Sequence, residues 1–170
     1  LSFVVVCDVM HALVFKGMPA FLGESGSQRA IYFWLMGRTG EWLTLLLAVT
    51  GHGPRHRGTA LATGLGLGAL AVWHGSTGTW GMPVFLIPGQ GLTLEKVVWE
   101  WLLCGANLAL AVHLWRRAGT VASPTEAQRL RLFATSAWVM GVGELAFTAY
   151  QSPSDLINIL GHVFKVVAYG

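Results

Sequence analysis

Charge is what this sequence has least of. Only 11% of its 170 residues are Asp, Glu, Lys or Arg, where a soluble domain carries about 25%. With 54% hydrophobic residues, too few polar side chains remain to cover a surface in water. That excludes an ordinary soluble fold. Cysteine is scarce as well. Cys7 and Cys104 both sit in apolar runs, with no metal or redox spacing and no C-x-x-C-H haem attachment motif. They read as small buried hydrophobes. The net charge of +3 is small and its basic residues scatter through short segments. This excludes nucleic acid as a partner and points to membrane topology instead. No nucleophile–base constellation and no phosphate loop stands out, so an enzyme is not expected. No small-residue cleavage site marks a signal peptide.

What is abundant is apolar sequence, in runs approaching the roughly 20 residues that span a bilayer. The 22 glycines and 8 tryptophans fit packed membrane helices with aromatic belts. The expected fold is an all-α integral membrane protein, a bundle of about six transmembrane helices with short loops, forming a single domain over 1–170. The helices are expected near 1–17, 29–50, 59–75, 92–115, 130–150 and 155–170. Gly17-Met18-Pro19 ends the first, because Pro disfavours helix in the residue before it. "GHGPRHRG" (51–58), "STGTWGMPVFLIPGQG" (76–91), "RRAGTVASPTEAQRLR" (116–131) and "QSPSD" (151–155) separate the others. Thr93 is the expected N-cap of the fourth helix. The first run is already apolar at Leu1 and the last stops at Gly170, so the chain reads as a fragment of a longer membrane protein, lacking at least part of an opening helix.

Lys and Arg in short loops set orientation. Arg55 and Arg57 follow the second helix, and Arg116, Arg117, Arg129 and Arg131 follow the fourth. The loops after the third and fifth have none. Even-side loops are therefore expected in the cytoplasm, with the C-terminus entering it. His52, His56 and His113 fall on that side and take no role. On this topology the ionisable residues gather toward the outer half. Asp8, His11 and Lys16 lie on helix one, Arg38 and Glu41 on helix two, and His74 on helix three. Lys96 and Glu100 lie on helix four, Glu144 on helix five, and Asn158, His162 and Lys165 on helix six. Asp8/His11, Arg38/Glu41 and His162/Lys165 are three apart and Lys96/Glu100 four apart, so each pair shares a helix face. Ionisable groups at membrane depth usually face the bundle interior and pair there. An outward-facing polar pocket is the expectation. The plainer reading of Arg38/Glu41 is a structural salt bridge, and that of the three histidines is hydrogen bonding across helices. Glu144 has no cation on its own helix and needs a distant partner.

Four stretches resemble one family. "CDVMHALVFKGM" (7–18) is similar to the D-x-x-H-x-x-x-x-K-G-M signature of membrane-associated sensor (MASE) domains, most closely the third type. "FWLMGRTGEWLTLLLAV" (33–49) places Trp34, Arg38 and Glu41 as in the family's W-x-x-x-R-x-x-E stretch. "GLTLEKVVWEWLL" (91–103) supplies Gly91, Leu92, Thr93, Lys96 and Glu100. "GELAFTAYQSPSDLINILGHVFKVVAY" (143–169) supplies Glu144, Phe147, Thr148, Tyr150, Asp155, Asn158, Gly161, His162 and Lys165. The resemblance extends to His74 and Pro88. It implies a bacterial sensor module in the inner membrane, ahead of a cytoplasmic histidine kinase or diguanylate cyclase output domain, in two-component or cyclic-di-GMP signalling. It also implies a homodimer in the full-length protein.

The leading expectation is therefore a signal-input domain, with the pocket residues as the site and the last helix as the transmitter. Lys16, Lys96 and Lys165 suit an anionic signal, whereas the carboxylates and histidines suit a cation or protons. One alternative is a metal- or haem-binding redox protein using His11, His74 and His162, since imidazole suits such metals. Neighbouring lysines oppose it. A transporter fragment is the other, although no inverted repeat or broken helix pair is visible.

Overall fold

The structure is a computed structural model. It describes residues 1–20, 25–54, 56–78, 81–148 and 156–169. Among the described residues there are six helices: α1 (Ser2–Leu13), α2 (Ser27–Thr50), α3 (Arg57–Thr77), α4 (Leu94–Ala118), α5 (Pro124–Ala146) and α6 (Leu156–Tyr169). Two short strands, β1 (Leu86–Ile87) and β2 (Gly91–Leu92), lie between α3 and α4. The chain divides into two compact units, Leu1–Ile87 and Pro88–Gly170.

The helix ends follow local chemistry. α1 stops at Leu13, short of Lys16, and the chain turns through Phe15–Met18 with Gly17 at φ +95°. Lys16 is thus off the helix and exposed. α2 and α3 end in Gly51 and Gly78, both in the left-handed conformation that glycine adopts without steric penalty. α4 opens with the Thr93 hydroxyl accepting from Lys96 N at 3.4 Å, as the sequence leads one to expect. α5 begins at Pro124 rather than near Leu130. Ser123 caps it by accepting from Glu126 N at 3.4 Å, and Pro124 fills the first turn, where its missing N–H is harmless. Its first turns are polar, so an apolar run marks its start too late.

In the first unit α1 packs on both α2 and α3, and glycine makes the approach close. Gly64, Gly68 and Gly75 repeat at four- and seven-residue spacing with Ala71, giving α3 one small-residue face. A Cβ on Gly68 would lie 2.9 Å from Val6 Cβ, and one on Gly75 would lie 2.7 Å from Phe33 Cζ. Small residues of this kind let helix backbones approach closely and gain van der Waals contact.

In the second unit the buried positions of α4 include Lys96, Glu100, Leu103, Asn107, Leu110 and Leu114. Those of α5 include Leu130, Ala134, Ala137, Gly141 and Glu144. Both sets alternate steps of four and three, the spacing of a coiled-coil seam. The helices run antiparallel: Lys96, at the start of α4, meets Phe147, just past the end of α5, and Cys104 O lies 3.2 Å from where a Gly141 Cβ would stand. α6 runs antiparallel to α5 in turn. Its Phe164 Cβ would be 2.9 Å from a Gly143 Cβ, and its Ala168 carbonyl accepts from Ser136 Oγ.

Among the described residues, one helix, α4, is long and apolar enough to cross a membrane by length and composition. α1 and the stretch Ile159–Ala168 of α6 are apolar but shorter. In α3 the glycines dilute the apolar content, as do the polar opening turns in α5.

Candidate functional site

In the first unit the centre is Arg38, 1% exposed. Its Nη2 donates to both carboxylate oxygens of Asp8 on α1, at 3.1 and 3.3 Å, and its Nη1 donates to Glu41 Oε2. The guanidinium carbon stands 5.0 Å from the centre of the Trp34 ring, one helical turn back. One cation is thus held by two carboxylates and an aromatic face, a set that suits the planar guanidinium. The Trp34 ring also meets His11, with centroids 5.4 Å apart. His11 Nδ1 lies 2.8 Å from the Ala30 carbonyl. A carbonyl only accepts, so Nδ1 carries a proton.

A second polar set anchors the end of α3 and the segment before β1. His74 Nδ1 is 2.9 Å from the Tyr32 hydroxyl. Arg29 Nε donates to Gly75 O at 3.1 Å and its Nη2 to Ser76 Oγ at 3.3 Å. A cation on those last carbonyls complements the helix dipole. Gln28 Oε1 accepts from the backbone N–H groups of Phe85 and Leu86 at 2.8 and 2.9 Å, with the Phe85 side chain wholly buried.

In the second unit the polar groups lie within the α4–α5 seam. Lys96 Nζ is 2.8 Å from Glu100 Oε1 and donates to the Phe147 carbonyl. Its ammonium stands 5.9 Å from the centre of the Phe147 ring. Glu144, in the last turn of α5, acts electrostatically on Lys96. The antiparallel course of the two helices puts the start of one beside the end of the other. The Phe147 carbonyl stands at the C-cap of α5, where carbonyls have no donor left within the helix, and the ammonium donates to it there. The Phe147 ring also meets His162 on α6 in a T-shaped arrangement, with centroids 5.3 Å apart.

Of the expected site residues, the structure gathers Asp8, Arg38 and Glu41 in the first unit. It gathers Lys96, Glu100, Glu144 and, through Phe147, His162 in the second. The Arg38/Glu41 and Lys96/Glu100 pairs form as their spacing implies. Asp8 and His11 take different partners despite their shared face. Lys165 is half-buried on α6, and the side chain of Asn158 lies outside the described residues, as do Arg55, Tyr150 and Asp155. Trp34 is buried at 5% exposure, so it is a packing partner of Arg38 rather than a belt anchor. Its four-residue spacing from Arg38 carried that signal. Gln28, Arg29 and Tyr32 gave none, because their partners are a distant backbone and a distant histidine. Among the described residues, no three of His, Cys, Asp and Glu are grouped as a metal ion requires. The redox reading on His11, His74 and His162 gains nothing from the geometry.

A family model for a membrane-associated sensor domain, MASE3, matches residues 1–170. No curated protein and no solved structure matches the chain. The match spans all four stretches that carry the resemblance and sets the expected class: membrane context and signal input, with no catalytic role implied for the domain itself. The chain belongs to the MASE3 family of membrane-associated sensor domains.

Proposed function

We propose that this chain is a multi-pass signal-input domain of the bacterial inner membrane. Its buried ionisable groups respond to a signal from outside or within the bilayer, and the last helix carries the response to a cytoplasmic histidine kinase or diguanylate cyclase output domain. All six helices lie in the membrane in this reading, the C-terminus enters the cytoplasm, and the full-length protein works as a homodimer. The observation that carries it is the Lys96–Glu100 pair with Glu144, buried in a helix seam at 1%, 0% and 1% exposure. Buried ion pairs are poor stabilisers compared with apolar side chains of similar size. Intramembrane charges of this kind mark function by default. A signal acts on such a set by binding two packings of the helices unequally, since only differential affinity shifts an equilibrium.

The test is output activity of the full-length protein carrying Glu144→Ala or His162→Ala. Each variant is expected to insert normally and to shift the level of output or its response. Normal insertion with unchanged signalling in both, under every condition tried, overturns the proposal.

A further inference from the structure

We propose that Phe147 is a relay that ties the seating of α6 to the state of the buried Lys96–Glu100 pair. This deepens the sensing reading above and rests on it for its purpose, though not for its test.

Three contacts meet in this one residue. Its backbone carbonyl accepts from Lys96 Nζ. Its ring fills the notch left by Gly161 on α6, where a Cβ would come within 2.7 Å of both Cε1 and Cε2. The same ring meets His162 edge-on at 5.3 Å. Phe147 is itself 4% exposed and is the first residue past α5. Its N–H donates to Glu144 O at 3.0 Å and the Thr148 N–H to Leu145 O at 3.2 Å, which ties its backbone to the last turn of α5, while its carbonyl joins it to Lys96 on α4 and its ring to α6.

The consequence is mechanical. If the ammonium leaves the carbonyl, the peptide of Phe147 loses its tie to α4, and any shift of that backbone carries the ring with it. The notch at Gly161 has no spare room, so the ring cannot turn without displacing α6. The ion pair itself does not slip by degrees, because a half-broken buried pair leaves an uncompensated charge. Packed elements of this kind change between discrete arrangements. Coupling of this sort is reciprocal, so a change at Gly161 must also reach the Lys96 end.

The experiment is amide hydrogen exchange, read by mass spectrometry on the intact membrane protein. Glu100→Gln keeps the shape of the side chain and removes its charge. Exchange over 156–169 is expected to rise by about tenfold, as local opening of α6 becomes easier, while α2 in the first unit keeps wild-type exchange. In a Phe147→Leu background, which removes the ring from the notch, adding Glu100→Gln is expected to change α6 exchange by less than about twofold. Wild-type exchange of α6 in Glu100→Gln, or an equal change with and without Phe147, overturns the relay. Should Glu100→Gln fail to fold, Gly161→Ala enters from the other end. The carbon-13 shift of a labelled Phe147 carbonyl is then expected to move, and an unmoved shift overturns the relay. None of these readouts needs an output domain. If α6 responds while signalling stays constant, the relay stands and the sensing proposal falls.

Discussion

Arg38 in the first unit is 1% exposed, but its partners Asp8 and Glu41 keep 33% and 20% of their side-chain surface open. In the second unit Lys96, Glu100 and Glu144 are all at 1% or below. Both centres place two carboxylates near one cation, yet their burial gives them different consequences. A partly exposed carboxylate keeps room to turn to another partner when its own goes. One in a closed seam does not, and its penalty falls on the packing around it. The first centre is built like a pin between α1 and α2. The second is built like a switch, costly to leave half-made and placed where three helices meet.

This contrast predicts a ranking. Lys96→Met leaves Glu100 in the seam without its ammonium and is expected to lower stability by about 3–5 kcal/mol, measured by reversible unfolding in mixed micelles. The pair replacement Lys96→Met with Glu100→Leu is expected to recover part of that loss, since it removes the stranded Glu100 charge but still leaves Glu144 and the Phe147 carbonyl without the ammonium. Arg38→Met is expected to cost about 1.5–3 kcal/mol in the same assay, the worth of hydrogen bonds to a charged group. An Arg38 loss as large as that of Lys96 would break the comparison. Gln28→Leu leaves two backbone N–H groups without their acceptor. It is expected to cost about 1–3 kcal/mol, with faster amide exchange at Phe85 and Leu86 and none in the second unit. The smallest effect is Tyr32→Phe, which removes one hydrogen bond to His74 for about 0.5–1.5 kcal/mol. Its imidazole nitrogen-15 shift is expected to move while that of His162 stays put.

Local spacing carried much of this into the sequence. Lys96/Glu100 and Arg38/Glu41 are neighbours on single helices, and Thr93 caps where it stands, because these depend only on helix geometry. The Asp8–Arg38 contact joins residues 30 apart in the chain, and no local period announces it. The Lys96–Phe147 bond was hidden for another reason: its acceptor is a backbone carbonyl, which every residue has. Its cue is a helix end, and α5 ends at Ala146 rather than Tyr150. The early start of α5 was readable in Ser123-Pro124-Thr125-Glu126, a Ser three residues before a Glu. There the polarity of the segment masked the capping signal.

The most direct test of the central claim separates stability from signalling at the α4–α5 seam. Output of the full-length protein is measured in the Lys96→Met, Glu100→Leu double variant, across the conditions that modulate the wild type. If the buried pair serves signalling, the double variant inserts and stays folded, and its output no longer responds. A folded double variant that keeps the full wild-type response would contradict the account.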